Sequence, residues 1–184
     1  PSLPDGALAK LAGESRLKVA LTDHNKLAGD LKFLSPAVVA VVDHHEDTGV
    51  YSKVPYYNVV PTCGSACTLV AQLVTQLSND ALSSSAEVKA LLGAAILLDT
   101  ESLKGSKTSD LDVSVAASLG LVTEGTLDVT EHGAQQHKAL FEKRISIAAL
   151  SSAQRLRKDY KQWTHPAMTY GIATVPCSLR EWTE

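Results

Sequence analysis

The sequence predicts an α/β protein: a parallel sheet flanked by helices, followed by the start of a smaller α/β unit. Apolar strands alternate with longer helical segments, the pattern of strands joined by helical crossovers. The strongest predicted strand, Val38–Val42, is apolar without alternation, as expected when both faces of a parallel sheet are covered. We place the sheet domain at residues 1–133 and the smaller unit at residues 134–184.

Composition excludes several classes of protein. The 184 residues are 45% hydrophobic and 20% charged, an ordinary globular balance. The net charge of -3 and the lack of a basic patch argue against nucleic acid as a partner. No apolar run approaches the roughly 18 residues that span a bilayer, and no signal pattern opens the chain, so no membrane partner and, by default, a cytoplasmic location are expected.

The first half of the chain alternates strands and helices. Residues 1–15 form a loop with a short helical piece, Asn25–Phe33 holds a helical turn or two, and Pro36 restarts the extended chain. The predicted strands are Leu17–Leu21, Val38–Val42 and Tyr57–Val60. The predicted helices are Gly64–Leu77, Ser85–Thr100 and Asp110–Leu119, with Ser65 and Ser85 as N-caps. Either Thr108 with Asp110 or Ser109 with Asp112 is interpreted as a simple cap of the third.

The second half is more polar. A long helix or helix pair is expected over residues 132–150, and the basic segment Ser151–Trp163 is expected to be a helix. Met168–Val175 has the composition of a strand, and SLREW at residues 178–182 opens a last helix.

Two predicted strands each end in an Asp-His pair. TDHN follows the first strand and VDHHED ends the second, at the sheet edge where α/β proteins bind ligands. Aspartate with imidazole suits Mn, Zn or Fe. We expect His44 and His45 to point in opposite directions, one toward a metal and one toward a ligand. A single such pair is usually a turn or a cap, but two pairs favour a metal site.

Three charged residues further along the chain have two interpretations each. Asp99 ends an apolar helix, where a negative charge costs about 0.3–1 kcal/mol, so it either faces a metal or simply starts a solvated loop. Lys104 and Lys107 follow it and could contact an anionic ligand; for Lys104 an ordinary surface lysine is the better interpretation. Cys63 and Cys67 are interpreted as buried thiols of a reducing compartment.

Four motifs in order resemble the DHH phosphoesterase family: TDHN, VDHHED, GSACTLV and LLDTESLKGSKTSDLD. The resemblance is closest to the exopolyphosphatase and manganese-dependent pyrophosphatase branch, which includes prune-like proteins. The segments at 144–163 and 168–182 resemble the beginning of that branch's C-terminal, substrate-binding DHHA2-like domain.

The resemblance implies a chemistry and a role for each residue. It implies hydrolysis of a phosphoanhydride by a hydroxide that bridges two divalent metals, Mn²⁺ or Mg²⁺, with inorganic polyphosphate as the preferred substrate and pyrophosphate as the alternative. Asp23, His44 and Asp99 correspond to metal ligands. His45 and Lys107 correspond to groups that face the substrate phosphate, and Asp43 to a partner that orients a histidine ring.

The chain departs from this family at its start. The family opens with an Asp-x-Asp strand, whereas the only aspartate in residues 1–20 is Asp5. We therefore expect a fragment whose missing N-terminal segment supplies further ligands, with weak metal binding and little hydrolysis by the chain alone. The alternatives are a nucleotide phosphoesterase, a non-catalytic prune-like binding or regulatory module with a degenerate metal site and, last, a redox or zinc protein.

Overall fold

The computed structural model describes residues 6–78, 85–123, 126 and 128–183. Asp5 and most of the predicted loop after Leu77 lie outside these residues. The chain divides between His137 and Lys138 into two units, close to the predicted boundary between residues 133 and 134.

A parallel sheet organises the first unit. Its strands are β1 (Val19–Thr22), β2 (Val38–Asp43) and β3 (Tyr56–Val59), in the order β1-β2-β3. The neighbouring side chains of Val41 and Val42 enter two different apolar clusters, one containing Leu21 and the other Leu69. Both faces of β2 are therefore covered, and the predicted fold class is confirmed.

The helices of the first unit are α1 (Ala7–Gly13), α2 (Ala66–Leu77), α3 (Ala86–Asp99) and α4 (Asp110–Ser118), with a 3-10 helix at Gly29–Ala37. Helices α2, α3 and α4 begin within two residues of their predicted starts, whereas the helical turn predicted from Asn25 begins only at Gly29. The hydroxyls of Ser65 and Ser85 cap α2 and α3, as predicted. Helices α2, α3 and α4 enclose a core that includes Ala71, Ile96 and Val115.

Pro36 does not restart the extended chain; that prediction is wrong. It lies inside the 3-10 helix, and β2 begins two residues later at Val38. The fixed φ of proline, about −65°, is compatible with 3-10 geometry, so the ring can stay in the helix near its end.

A hairpin dominates the described part of the second unit. After α5 (Glu131–Ile145), the chain forms α6 (Ser152–Lys158), β4 (Tyr160–His165), β5 (Met168–Ala173) and α7 (Leu179–Thr183). The predicted helix over 151–163 is wrong beyond Lys158, because β4 pairs antiparallel with β5 and Trp163 stacks on Tyr170 at 5.5 Å. Aromatic pairs across strands favour a hairpin over a helix.

The helices of the described ranges are all too short or too polar to cross a lipid bilayer.

Candidate metal centre

The ends of β1 and β2 bring three predicted site residues together. Asp23, His44 and His45 each offer a ligand atom, and these atoms lie within 4.8 Å of one another. Asp23 directly follows β1, where its N–H donates to the carbonyl of Val42 at 3.0 Å. Its φ is 62°, a left-handed conformation that aspartate adopts more readily than most residues.

The ring of His44 is held in one orientation. Its Nδ1 lies 3.0 Å from the carbonyl oxygen of Cys63. Because a carbonyl only accepts, Nδ1 carries a proton, which leaves Nε2 as the ring nitrogen that can bind a cation. Nε2 lies 3.2 Å from Oδ1 of Asp23. Two ligands bound to one cation at about 2.1 Å and near a right angle are separated by about 3 Å, so this pair fits a metal.

The ring of His45 does not point away from that of His44; the predicted opposite directions are wrong. The ring centroids are 4.7 Å apart, edge to face. Both residues follow the last residue of β2, where the alternation of a strand no longer applies. Oδ1 of Asp43 accepts the backbone N–H of His44 at 2.8 Å and that of His45 at 3.3 Å, which turns the chain.

Asp43 is fully buried below these rings. Its Oδ1 accepts Nδ1–H of His45 at 2.8 Å, and its Oδ2 accepts the amide of buried Asn25 at 2.5 Å. Burial alone would raise the pKa of Asp43, but the hydrogen bonds from His45, Asn25 and the backbone of His44 outweigh it and lower the pKa. The ionised carboxylate thus holds the ring of His45, the kind of contact predicted for Asp43.

Asp99 lies at the end of α3, outside the group of three ligand atoms. Its Oδ2 accepts the hydroxyl of Ser65 at 2.7 Å. Burial raises the pKa of the Cys67 thiol, and the negative charges of Asp99 and Asp23 raise it further. The charges of Asp99 and Asp23 thus act on the same thiol, although the two residues belong to different elements.

Lys107 borders a cavity with the two histidines. The cavity has a volume of about 490 Å³, and its lining includes His44, His45, Cys63 and Lys107. Lys107 is exposed, as is Lys104, which is not among the lining residues. A cationic side chain and two imidazoles around one cavity suit an anionic ligand.

Sequence reasoning missed the role of the segment 63–65. The structure shows that the carbonyl of Cys63 holds His44 and that the hydroxyl of Ser65 contacts Asp99. The sequence marked Ser65 only as a helix cap and Cys63 only as a buried thiol. Burial raises the pKa of the Cys63 thiol to about 11, which disfavours a thiolate ligand. GSACTLV, one of the four motifs, was the available signal.

The chain is similar in sequence to one domain family and to several named proteins. Residues 138–184 match the DHHA2 domain. The chain is 29% identical over 166 residues to a Schizosaccharomyces pombe protein named "Putative exopolyphosphatase", covering 85% of this chain and 42% of the relative. It is 24% identical over 164 residues to the manganese-dependent inorganic pyrophosphatase of Methanocaldococcus jannaschii, covering 86% of this chain and 52% of that protein. The predicted resemblance to this branch of the DHH phosphoesterases is confirmed.

A solved structure agrees on the fold. The crystal structure titled as a "putative family II inorganic pyrophosphatase" from Methanococcus jannaschii superposes with a TM-score of 0.58 at 24% identity, over 86% of this chain and 52% of that one. The chain thus spans about half the length of the curated relatives that it matches.

Proposed function

We propose that this chain carries part of the catalytic machinery of a metal-dependent phosphohydrolase that cleaves phosphoanhydride bonds. The observation that carries the proposal is the group formed by Asp23, His44 and His45 at the ends of two parallel strands. The names of the relatives, exopolyphosphatase and manganese-dependent inorganic pyrophosphatase, support the same reaction class.

In this proposal Asp23, His44 and Asp99 hold divalent metal. Carboxylate and neutral imidazole donors favour Mn²⁺ over Mg²⁺, which prefers oxygen ligands alone. The hydrogen bond from Nδ1 of His44 to the carbonyl of Cys63 leaves Nε2 as the nitrogen that can bind the cation. A bound divalent cation would neutralise charge on a phosphate and make water a stronger nucleophile at neutral pH.

The remaining residues act on the substrate or on the ligands. His45 and Lys107 line the cavity beside the metal ligands, and we assign to them the contacts with the substrate phosphate. Asp43 orients the ring of His45 through the bond to Nδ1. Because Nδ1 donates to Asp43, Nε2 of His45 stays available for the substrate side.

We propose inorganic polyphosphate as the substrate, with pyrophosphate as the alternative. The preference rests on VDHHED, which is more similar to the exopolyphosphatase side, and on the resemblance to the "Putative exopolyphosphatase". Both substrates present the same chemistry, a phosphoanhydride with several negative charges, to Lys107 and the metal.

The test measures metal binding and phosphate release separately. Mn²⁺ binding to the purified chain is followed by titration calorimetry, and phosphate release is measured with polyphosphate and pyrophosphate in the presence of Mn²⁺. Asp23→Asn and His44→Gln remove one ligand each and should weaken Mn²⁺ binding at least about 10-fold. His132→Gln, a matched change at an exposed histidine of α5, should bind Mn²⁺ as the wild type does.

The outcomes separate the possible functions. Mn²⁺-dependent release that is faster on polyphosphate supports the proposal, and faster release from pyrophosphate replaces its substrate. Mn²⁺ binding that depends on Asp23 and His44 without any release would support the metal centre and fits both a partial catalytic site and a binding module that retains the metal. Equal Mn²⁺ affinity in Asp23→Asn, His44→Gln and the wild type would contradict the metal centre itself.

A further inference from the structure

Asp112, at the start of α4, is a fully buried carboxylate on which several donors converge. Oδ2 accepts three hydrogen bonds and Oδ1 two. The donors are N–H of Gly64 at 2.8 Å, N–H and hydroxyl of Ser109 at 2.8 and 2.6 Å, the hydroxyl of Thr68 at 2.6 Å and the thiol of Cys63 at 3.3 Å. These donors come from the segment before α2, from α2 itself and from the cap of α4.

A helix cap does not require this arrangement. The same chain caps α6 with a second capping box, in which the partner of Ser151 is Gln154, neutral and exposed. Burying a carboxylate is costly unless its hydrogen bonds compensate. Burial would raise the pKa of Asp112, but the bonds from Ser109, Thr68 and Gly64 lower it, so the group stays ionised. Within the described residues no lysine, arginine or histidine pairs with it.

The contacts of Asp112 lead to the metal centre. They hold Cys63 and Gly64, and the carbonyl of Cys63 accepts Nδ1–H of His44. The next residue, Ser65, donates its hydroxyl to Asp99. One buried carboxylate therefore fixes the segment that contacts two of the proposed metal ligands on two different elements.

Gly64 shows how closely these parts fit together. A Cβ on Gly64 would lie 2.9 Å from Oδ2 of Asp112, 2.9 Å from the carbonyl oxygen of Lys107 and 2.9 Å from Cγ2 of Thr100. No side chain could be inserted without moving backbone or the carboxylate. The segment 63–65 is thus clamped between α4 and the loop that carries Lys107.

We infer that Asp112 is a positioning residue of the metal centre, which fixes the segment 63–65 so that Nδ1 of His44 stays bonded to the carbonyl of Cys63 and Asp99 stays bonded to the hydroxyl of Ser65. This inference rests on the proposed function for the identity of the ligands. It assigns to Asp112 no contact with metal or substrate.

Asp112→Asn tests the inference, because it keeps the size of the side chain but turns an NH₂ group toward groups that themselves donate. Asp110→Asn is the matched control: it removes an exposed carboxylate from the same helical turn. The first readout is the Nδ1–H of His44 in metal-free protein, whose ¹H–¹⁵N NMR signal and slow exchange with water report its hydrogen bond to the carbonyl of Cys63. The second is the Kd for Mn²⁺.

Wild type and Asp110→Asn should show a slowly exchanging Nδ1–H of His44. Asp112→Asn should show faster exchange of this proton and a Kd for Mn²⁺ raised about 10-fold, the lower end of what changes beyond the direct ligands cause. If Asp112→Asn loses thermal stability but keeps both the slow exchange and the Kd, Asp112 is only a cap and the inference is overturned.

Two further outcomes keep the inference and the proposed function distinguishable. If the wild type binds no Mn²⁺ and Asp112→Asn still speeds the exchange of Nδ1–H of His44, positioning by Asp112 stands and the proposed function fails. If Asp112→Asn does not fold, Thr68→Val replaces it, since it deletes one donor to the carboxylate and keeps the charge. Faster exchange of this proton then supports the inference, and an unchanged exchange rate overturns it.

Discussion

Nδ1 of His45 donates to Oδ1 of Asp43 at 2.8 Å, and the other carboxylate oxygen is taken by Asn25 at 2.5 Å. The buried carboxylate is therefore bonded on both oxygens, to the ring that it orients and to a side chain from the preceding Asp-His-Asn motif. The two motifs that end β1 and β2 are joined below the surface by this contact. Their proximity is a property of the fold, because parallel strands end at the same edge of a sheet.

Asn25→Ala should destabilise the protein by about 1–3 kcal/mol, the cost of leaving buried groups without their partners. Asn25 is buried and also donates to the carbonyl of Glu46 at 3.0 Å and accepts the N–H of Thr48 at 3.1 Å. Urea unfolding should be followed by far-UV circular dichroism, because both tryptophans lie in the second unit. Asn58→Ala on β3 is the control, and equal losses in the two variants would argue against a special role for Asn25.

Gly64→Ala should cost about 1–3 kcal/mol of stability, as expected when a methyl group is forced into a packed site. Its Cβ would meet three neighbours at 2.9 Å, one of them the backbone oxygen of Lys107. Gly29→Ala is the matched control, since nothing lies within 4 Å of its Cβ position. Urea unfolding measures the free energy of unfolding of both variants. If Gly64→Ala is as stable as Gly29→Ala, the segment 63–65 can move to accept a methyl group at little cost.

Local signals in the sequence were sufficient for much of the fold. The hydroxyls of Ser65, Ser85 and Ser109 were recognisable as caps because capping depends on a few neighbouring residues. The unbroken apolar run of β2 indicated a strand with both faces covered.

Such local signals could not predict contacts between residues that are far apart in the sequence. The strand β4 forms because β5 lies beside it, and the basic residues of segment 151–163 gave no sign of that partner. The carboxylate of Asp43 binds the backbone N–H groups of His44 and His45 and turns the chain there, against the alternation expected for a strand. The motifs predicted which residue types form the site. The hydrogen bond from His44 to the carbonyl of Cys63 could be found only in the three-dimensional structure.

Ser102→Gly should stabilise the protein by up to about 1 kcal/mol. Glu101, Ser102 and Leu103 have φ values of 51°, 59° and 64°, so three consecutive residues are left-handed in the turn after α3. Each such residue costs about 1–2 kcal/mol, and glycine avoids this cost while losing about 0.5–1 kcal/mol through its own chain entropy.

The matched control for this change is Ser114→Gly, in the interior of α4. There glycine should destabilise by about 0.5–1 kcal/mol, because it lacks helix propensity. The two Ser→Gly variants should therefore shift the urea midpoint in opposite directions. A shift of the same sign in both would mean that the left-handed turn carries no strain that glycine can relieve.

Asp112 should make stability depend on pH below the usual aspartate pKa of 3.8. The pKa of Asp112 is lower in the folded state, so in this range the unfolded chain binds more protons than the folded one. The resulting contribution to stability is present above pH 3.8 and is lost as the pH falls through the folded-state pKa. Asp112→Asn lacks this contribution, so its free energy of unfolding should be lower at neutral pH and should approach that of the wild type in acid.

Urea unfolding of both proteins across the acid range measures this convergence. Asp110→Asn, which removes an exposed carboxylate from the same helical turn, is the control. Parallel curves for Asp112→Asn and wild type would contradict an ionised, hydrogen-bonded Asp112.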